Sequence, residues 1–297
     1  MKTERKVLIE DTFAEAFSMY MVRILVTAST RRWALASAME AKGLGTTAIF
    51  CPNEVGVEAE VNSSDTPDQR PGVLLMMGHP KIENVRKWVP RRIRHCILSV
   101  PTTVAFDEMP ENLANDSVSI EGTPVQLFGD GYEERVEAYG RSMFRIPLMG
   151  GWFYVSERFR VTKGVAGGNI IVLGNSMPSA LLGAETAVDA IKSVPHVFTP
   201  AVNGIFASGS KPKSSYPWGT TNEKFCTCIK DRVKNTMIPD GVESAFEVVI
   251  NGLTLEDVKR AMKVAIEAAV KIPGVMRITA GNYEGKLGPH KINLREL

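Results

Sequence analysis

The sequence predicts an α+β protein made of two ferredoxin-like (split β-α-β) units that are related by internal duplication. Three observations indicate this fold class. Apolar strands alternate with amphipathic helices, two strand–helix segments of one half match two of the other, and each second helix runs into a further strand. A strand–helix–strand, strand–helix–strand order places the helices on one face of an antiparallel sheet.

The first strand and helix of the two halves match closely. "RILVTASTRRWALASAMEA" begins at Arg23, and "NIIVLGNSMPSALLGAETA" begins at Asn169, 146 residues later. Each segment gives an apolar strand, a turn of small residues with Ser at the same step, and a helix rich in Ala and Leu. We therefore predict that these segments are equivalent elements of two related units.

The second strand and helix also match. "VLLMMGHPKIENVRKWV" begins at Val73, and "FEVVINGLTLEDVKRAM" begins at Phe246, 173 residues later. The strand expected after each second helix is "HCILSVPT" in the first half and "GVMRITA" in the second, where Ile272-Pro273-Gly274 ends the helix. Each half is therefore expected to follow the order strand, helix, strand, strand, helix, strand.

The two offsets differ by 27 residues, which predicts an insertion in the second half at about 207–241. This segment is rich in Ser, Pro, Gly and Lys, and long ordered insertions often carry function. We predict an N-terminal lobe over 1–150, which includes a β-rich connecting segment with the runs "VQLFGD" and "SMFRIPLM", and a C-terminal lobe over 151–297 that begins with the run "WFYV".

Composition excludes several classes of function. The chain has 297 residues, is 44% hydrophobic and carries 35 Lys and Arg against 33 Asp and Glu, so no overall field favours nucleic acid. The N-terminus is charged and no run approaches the ~20 apolar residues of a membrane span, so we expect a cytoplasmic protein without a membrane partner. Four Cys and four His show no zinc-like spacing, and Cys226 and Cys228 have one residue between them, so no metal is expected.

A glutamate stands inside an apolar strand of the second half. In "ESAFEVVINGL", alternation puts Val248 and Ile250 beneath the helices and puts Glu247 and Asn251 on the face that the helices leave bare. Under the second offset Glu247 corresponds to Leu74, so the fold does not require an acid there. The carboxylate is either solvated or paired with an arginine, or it lies partly desolvated in a cleft with a raised pKa.

Several loops have residues suited to binding anions, and each can also be an ordinary turn. The glycines of "GVAGGNIIVLG" precede a strand, unlike a dinucleotide fingerprint, and "GIFASGSK" lacks the Lys-Ser order of a phosphate loop. Ser208–Lys211 could still offer N–H groups, hydroxyls and an ammonium to an anion. "TAGNYEGKLGP" carries Asn282 and Lys286, and "VPTT" ends in Thr102 and Thr103 at a predicted strand-ending turn. No catalytic triad or carboxylate pair can be assembled from spacing.

Longer motifs carry a family resemblance over essentially the whole chain. "TPDQRPGV", "AGGN", "IFASGSK", "NEKFCTCIKD", "FEVVINGL" and "PGVMRITAGNYEGKLGP" occur in one order and at family length. The chain resembles the formylmethanofuran:tetrahydromethanopterin formyltransferases. It has Thr227-Cys228 where family members have Pro-Ser, and Glu284 where they have Gly.

The resemblance implies a reaction and a role for Glu247. A formyl group moves from the amine nitrogen of formylmethanofuran to N5 of tetrahydromethanopterin through a tetrahedral intermediate, with no metal and no permanently bound cofactor. The family's proposed acid, the Glu of this VINGL strand, corresponds to Glu247. Both co-substrates are long and anionic, so basic residues and N–H-rich loops are expected to line an extended cleft that binds them.

The resemblance also implies partners and a wider site. Homotetramers built from dimers are expected, with the active site near a subunit interface. Two alternatives remain open, namely the formyltransferase subunit of a formyltransferase/hydrolase complex and a non-catalytic duplicated ligand-binding module. The candidate substrate-binding residues are Thr102, Thr103, Ser208, Gly209, Ser210, Lys211, Asn222, Lys230, Asn251, Asn282 and Lys286.

Overall fold

A computed structural model describes residues 7–45, 51–211, 215–217 and 219–297, and these contain fourteen strands and four α-helices. The charged N-terminal residues 1–6 and part of the predicted insertion lie outside the described residues. The strands are β1 (Leu8–Ile9), β2 (Phe13–Thr27), β3 (Glu54–Val61), β4 (Gly72–His79), β5 (Val104–Asp107), β6 (Asp116–Ser119), β7 (Glu134–Ala138), β8 (Arg141–Leu148), β9 (Gly151–Ser156), β10 (Arg158–Gly174), β11 (Val197–Phe198), β12 (Ser244–Gly252), β13 (Val275–Thr279) and β14 (His290–Asn293). The helices are α1 (Arg31–Lys42), α2 (Ile82–Arg92), α3 (Met177–Ile191) and α4 (Leu255–Ala269).

The chain divides into two compact units whose limits differ from the predicted lobes 1–150 and 151–297. Unit A is Met19–Gly164, and unit B combines Met1–Ser18 with Val165–Leu297. The reason is that β2 and β10 are 15 and 17 residues long and contribute residues to both units. The start of β2 belongs to unit B because it pairs with β14.

Unit A has a mixed sheet with two helices packed on it. Its strands follow the order β3–β4–β2–β5–β9–β8–β7, where only β5 and β9 are parallel. Thr30 caps the start of α1, because its side chain accepts a hydrogen bond from the N–H of Trp33. Helices and sheet bury a core that includes Ile24, Leu75, Val89 and Ile97.

Two predicted strands of unit A have other conformations. "HCILSVPT" is not a strand, because α2 continues into a π-helical turn over Ile93–Leu98, and the strand that follows is β5. Ile93 and Ile97 are four residues apart and both buried, which is helical rather than alternating spacing. "VQLFGD" forms a 3₁₀ turn over Gln126–Gly129, whereas "SMFRIPLM" and "WFYV" are confirmed as strands β8 and β9.

Unit B has a sheet in the order β11–β12–β10–β13–β1, in which only β13 and β1 are parallel. Helices α3 and α4 lie on one face and share a core with Ile170, Val172, Val248 and Ile250. Each begins with a hydroxyl cap: Ser176 accepts from the N–H of Ser179, and Thr254 accepts from the N–H of Asp257. This half follows the predicted order of elements.

The predicted insertion supplies cover for the opposite face of the unit B sheet. Ile238, and Val242 just after the insertion, pack with Ile171 and Leu173. The insertion also contains short 3₁₀ turns over Glu223–Phe225 and Thr227–Arg232. The insertion is therefore packed against the face that carries Glu247. Across the described ranges, every α-helix is too short or too polar to cross a membrane.

Candidate active site

Glu247 lies on the face of β12 that α3 and α4 leave uncovered. Its neighbour Val248 is fully buried beneath the helices, as the alternation of the strand predicts. Ile171 on β10 is its partner on one side. On the other side, the Glu247 N–H donates to the carbonyl of Phe206 over 3.0 Å, and the Phe206 N–H donates to the carbonyl of Glu247 over 2.8 Å. The main chain of Glu247 is thus fixed on both edges.

A pocket of about 230 Å³ opens over this side chain. Three segments of unit B line it: residues 244–247 of β12, residues 206–209 and residues 225–228. Ile171 and Asn222 complete the lining. Two of the three segments lie at the edge of or within the predicted insertion, so the insertion builds much of the pocket.

The surroundings of the Glu247 carboxyl favour its protonated form. The side chain lies deep among protein atoms but keeps some solvent contact through the pocket, and desolvation raises its pKa from 4.5 to about 7. No residue in the described part of the chain gives the carboxyl a hydrogen bond or an ion pair. A group with this pKa can both hold and release a proton near neutral pH.

Gly281 approaches the carboxyl from the loop after β13. A Cβ at this position would lie 3.7 Å from Glu247 Oε1. Asn169 on β10 fixes Gly281 because its Oδ1 accepts from the Gly281 N–H over 2.7 Å and its Nδ2 donates to the Gly281 carbonyl over 3.1 Å. Because Gly281 has no side chain and its backbone is fixed by Asn169, there is room for a further group beside the Glu247 carboxyl.

Tyr283 joins the same loop to the start of the predicted insertion. Its hydroxyl donates to the carbonyl of Ser210 over 2.7 Å. Burial, followed by the charges of Glu247 and Glu15, raises the pKa of Tyr283, so the phenol stays neutral. A neutral phenol next to the pocket keeps this hydrogen bond at any physiological pH.

The loop over residues 207–209 has backbone donors to offer. No hydrogen bond to another described residue uses the N–H groups of Ala207, Ser208 and Gly209. Gly209 has a φ of 58°, which favours glycine. Lys211, two residues on, pairs with Glu223, and this hydrogen bond lowers the pKa of the Glu223 carboxyl.

The structure brings together some of the predicted site residues. Ser208, Gly209 and Asn222 line the pocket with Glu247. Ser210 and Lys211 follow directly in the chain, and Asn282 lies in the Gly281 loop, where its Nδ2 donates to Thr12 Oγ1 over 3.1 Å.

Other predicted residues do not lie in the pocket. Thr102 and Thr103 belong to unit A, and Thr103 is buried with its hydroxyl donating to the carbonyl of Ile97 over 2.6 Å. Thr102 is exposed at a turn before β5, with a φ of 66°, and not after a strand as predicted. Lys230 is half-buried in the 3₁₀ turn over Thr227–Arg232, which also contains the pocket-lining Cys228. Lys286 is exposed and pairs with Glu284 over 2.7 Å.

Asn251 was expected on the bare face, but it is completely buried. Its Oδ1 accepts from the N–H of Gly167 over 3.0 Å. Gly167 has a φ of 87° at a bulge in β10 between Val165 and Gly168. Asn251 therefore braces this bulge, which also explains the glycines of "GVAGGN".

Sequence reasoning missed several residues of the site. Phe206, Phe225 and Cys226 line the pocket but sit in irregular segments, where no periodic pattern marks them. Glu15 was also missed, although "FAEAF" shows the signal that identified Glu247, a carboxylate within an apolar strand. Within the described ranges, His, Cys, Asp and Glu form no group of three or more that could hold a metal ion.

Two family models match the chain. The model described as "Formylmethanofuran-tetrahydromethanopterin formyltransferase" matches residues 1–148, and the model described as "FTR, proximal lobe" matches residues 151–297. The formylmethanofuran–tetrahydromethanopterin formyltransferase of Methanocaldococcus jannaschii is 46% identical over 296 residues, with 98% of each chain covered. That of Methanothermus fervidus is 47% identical over 292 residues, with 97% of each covered.

Solved structures give the same result. A formylmethanofuran:tetrahydromethanopterin formyltransferase from Methanosarcina barkeri superposes with a TM-score of 0.93 at 43% identity, covering 100% of this chain and 99% of that one. A chain of the formyltransferase/hydrolase complex from Methylorubrum extorquens, in complex with methylofuran, gives a TM-score of 0.90 at 33% identity, covering 97% and 96%. The chain therefore belongs to the formylmethanofuran–tetrahydromethanopterin formyltransferase family, as its motifs predict.

Proposed function

We propose that this chain transfers a formyl group from formylmethanofuran to N5 of tetrahydromethanopterin, and that Glu247 handles the proton of that reaction. Family membership supports the reaction. One observation carries the role of the acid: Glu247 lies in the pocket with its pKa raised to about 7 and with no competing partner among the described residues.

Formyl transfer between two amines has a specific need for such a group. Attack of N5 on the formyl carbon makes a tetrahedral oxyanion, and the methanofuran amine leaves readily only after it gains a proton. A carboxylic acid that is protonated near neutral pH donates that proton, and the resulting carboxylate accepts the proton that N5 loses. Glu247 returns to its starting state within one turnover, so no outside acid is consumed.

The oxyanion needs hydrogen-bond donors in the same pocket. Ala207, Ser208 and Gly209 line the pocket, and their N–H groups donate to no other described residue. Backbone donors that are fixed before the reaction stabilise developing charge without reorganisation. We assign the oxyanion to this loop.

The direct test supplies both co-substrates to the purified chain. Formylmethanofuran and tetrahydromethanopterin are mixed with it, and the N5-formyl product is followed together with release of methanofuran. The proposal requires equal amounts of the two products. Binding of either co-substrate without any product would instead support the ligand-binding module.

The structural match to a chain of a formyltransferase/hydrolase complex favours one second candidate. In that case the chain would work with hydrolase subunits, and formate would be released. Identity to that chain is 33%, against 43% for the Methanosarcina barkeri structure, so transfer by the chain itself is the better supported function. Copurification of the native chain with hydrolase subunits, and formate production by that preparation, would favour the second candidate.

We also propose that units A and B are duplicated ferredoxin-like units. The order β5–β2–β4–β3 in unit A corresponds to β13–β10–β12–β11 in unit B. Strand pairing supports the predicted offsets, because Leu25 pairs with Leu74 and Ile171 pairs with Glu247. Superposition of the two strand–helix sets, with these pairs left out of the fit, should bring Leu74 and Glu247 together.

A homotetramer built from two dimers and a cytoplasmic location complete the proposal. Exposed apolar side chains of unit A, among them Met149 and Trp152, are of the kind that oligomers cover. Light scattering should give about four times the chain mass of 32.5 kDa. Cell fractionation tests the location.

A further inference from the structure

Glu15 is a second acid buried within an apolar strand. The residue lies on β2 in unit B, is 1% exposed, and sits between the fully buried Ala14 and Ala16. No residue of the described ranges forms an ion pair with it. Lys291 is its partner in the pairing with β14, but the Lys291 ammonium lies 5.2 Å from the Phe13 ring centroid. A buried charge without a counter-ion requires another source of stabilisation.

Backbone N–H groups of one loop provide that stabilisation. Oε2 accepts from Tyr283 over 2.8 Å and from Gly285 over 3.0 Å. Oε1 accepts from Leu287 and, over 2.9 Å, from Gly288. Burial raises the pKa of the Glu15 carboxyl, but these four hydrogen bonds together outweigh it and lower the pKa below 4.5. Glu15 is therefore charged at neutral pH.

The loop is shaped around this carboxylate. Glu284 and Gly285 have φ values of 61° and 79°, which turn successive N–H groups to one side. A Cβ on Gly288 would lie 2.2 Å from the carbonyl oxygen of Ala16, so only glycine allows the loop to lie this close to β2. The conformation of residues 283–288 thus depends on an anion at position 15.

The same loop forms one side of the surroundings of Glu247. Gly281, at its start, is the residue whose Cβ would lie 3.7 Å from Glu247 Oε1. Tyr283 donates an amide N–H to Glu15 and its hydroxyl to the carbonyl of Ser210. The chain of contacts from Glu15 through the loop therefore ends beside the pocket.

We propose that Glu15 is a positioning residue for formyl transfer, which holds residues 281–288 in place so that Glu247 keeps surroundings poor in solvent. This inference rests on the proposed function of Glu247. It assigns Glu15 no contact with substrate. Its carboxylate acts only through the loop that it binds.

The anchoring is tested without any activity measurement. Glu15→Gln removes the charge and replaces one acceptor oxygen by an NH2 group, which donates hydrogen bonds and cannot accept them. Hydrogen exchange at the amides of Tyr283, Gly285, Leu287 and Gly288 should become about tenfold faster or more, while exchange at Val248 in the core stays unchanged. Unchanged protection of the four amides would overturn the anchoring.

The link to the reaction is tested by the pH dependence of turnover. In the unaltered chain, turnover should fall as pH rises through about 7, where Glu247 loses its proton. Glu15→Gln should move this fall to lower pH, toward the ordinary 4.5, because water then reaches Glu247. If exchange at the four amides becomes faster but the pH profile does not shift, Glu15 anchors the loop but has no positioning role in the reaction.

A matched control separates this effect from general destabilisation. Glu58 lies in unit A, is 5% exposed, and its carboxylate accepts from Arg23 over 2.6 Å. Glu58→Gln should lower stability without moving the pH profile. If Glu15→Gln does not fold, Glu15→Asp retains the charge with a shorter reach and should shift the profile in the same direction by less. If neither the unaltered chain nor any variant makes N5-formyl product, the proposed function is wrong. Hydrogen exchange still tests the anchoring of the loop by Glu15, because that measurement needs no activity.

Discussion

Glu247 and Ile171 are direct partners across the antiparallel strands β12 and β10. In unit A, β4 and β2, which correspond to these strands under the proposed duplication, pair Leu74 with Leu25. There both leucine side chains pack in an apolar cluster that includes Phe106. The β12–β10 pair of unit B thus has an acid beside a pocket, whereas the β4–β2 pair of unit A has two leucines at the compared positions. The acid is a feature of the site and not of the fold.

This arrangement makes the stability of the chain depend on pH in a defined direction. The pKa of Glu247 is raised from 4.5 to about 7, so between these values the folded chain holds a proton that the unfolded chain has lost. The contribution of protonated Glu247 to the free energy of unfolding is fully present below pH 4.5 and is lost as pH rises through about 7. Glu247→Gln should therefore be more stable than the unaltered chain at pH 8, by up to about 3 kcal/mol.

Urea unfolding at pH 4 and pH 8 measures this difference. The two chains should have similar free energies of unfolding at the lower pH, where both side chains are neutral. Glu243→Gln, at an exposed position just before β12, is the control and should change little at either pH. A Glu247→Gln variant that is less stable than the unaltered chain at pH 8 would mean that the carboxylate has a cationic partner, contrary to the account.

Gly281→Ala should reduce turnover without harming the fold. The new methyl group would lie 3.6 Å from Asn169 Oδ1, 3.7 Å from Glu247 Oε1 and 3.9 Å from Ile171 Cδ1, all ordinary contact distances. It would occupy the space beside the acid, and we expect turnover about ten- to a hundredfold lower, without a fall in the thermal midpoint.

The matched control for that variant is Gly150→Ala, where nothing lies within 4 Å of the added Cβ. Both substitutions restrict the unfolded chain equally, so they should raise stability by similar small amounts, about 0.4–1 kcal/mol. Equal turnover in the two variants would show that the space beside Gly281 is not used by substrate.

Leu74→Glu tests the comparison between the two units. The new carboxylate would lie beside Leu25, in contact with the apolar cluster that includes Phe106. We expect a loss of about 1–3 kcal/mol in the free energy of unfolding at pH 8, and unchanged turnover for each folded molecule. Leu74→Met, as control, should cost less than about 1.5 kcal/mol. A Leu74→Glu variant as stable as the control would indicate that this face of unit A is open to solvent.

Internal comparison explains why Glu247 could be identified from the sequence. A matching strand with Leu74 in its place marks the acid as unnecessary for the fold, and periodicity gives its face. The same reasoning did not reveal that Asn251 is buried, because alternation does not show that its side chain accepts a hydrogen bond from the bulge in β10. The pocket walls over 206–209 and 225–228 are irregular, and their positions depend on tertiary contacts that no local pattern records.

The strand errors have a similar cause. "HCILSVPT" contains only a few apolar residues, too few to separate helical from alternating spacing, and the preceding helix α2 extends into it. The helices α3 and α4 were predicted well, because their periodicity continues over many residues, whereas only the final residues of β2 and β10 were predicted as strands.

The most direct test of the account is the rate of formyl transfer by Glu247→Gln. The variant retains the size of the side chain and its hydrogen-bonding capacity but cannot exchange a proton. We predict that turnover at pH 7 falls by about 100- to 10,000-fold while the affinity for both co-substrates changes little. Glu243→Gln should keep the activity of the unaltered chain. A folded Glu247→Gln variant with turnover near that of the unaltered chain would contradict the role of Glu247 as the acid.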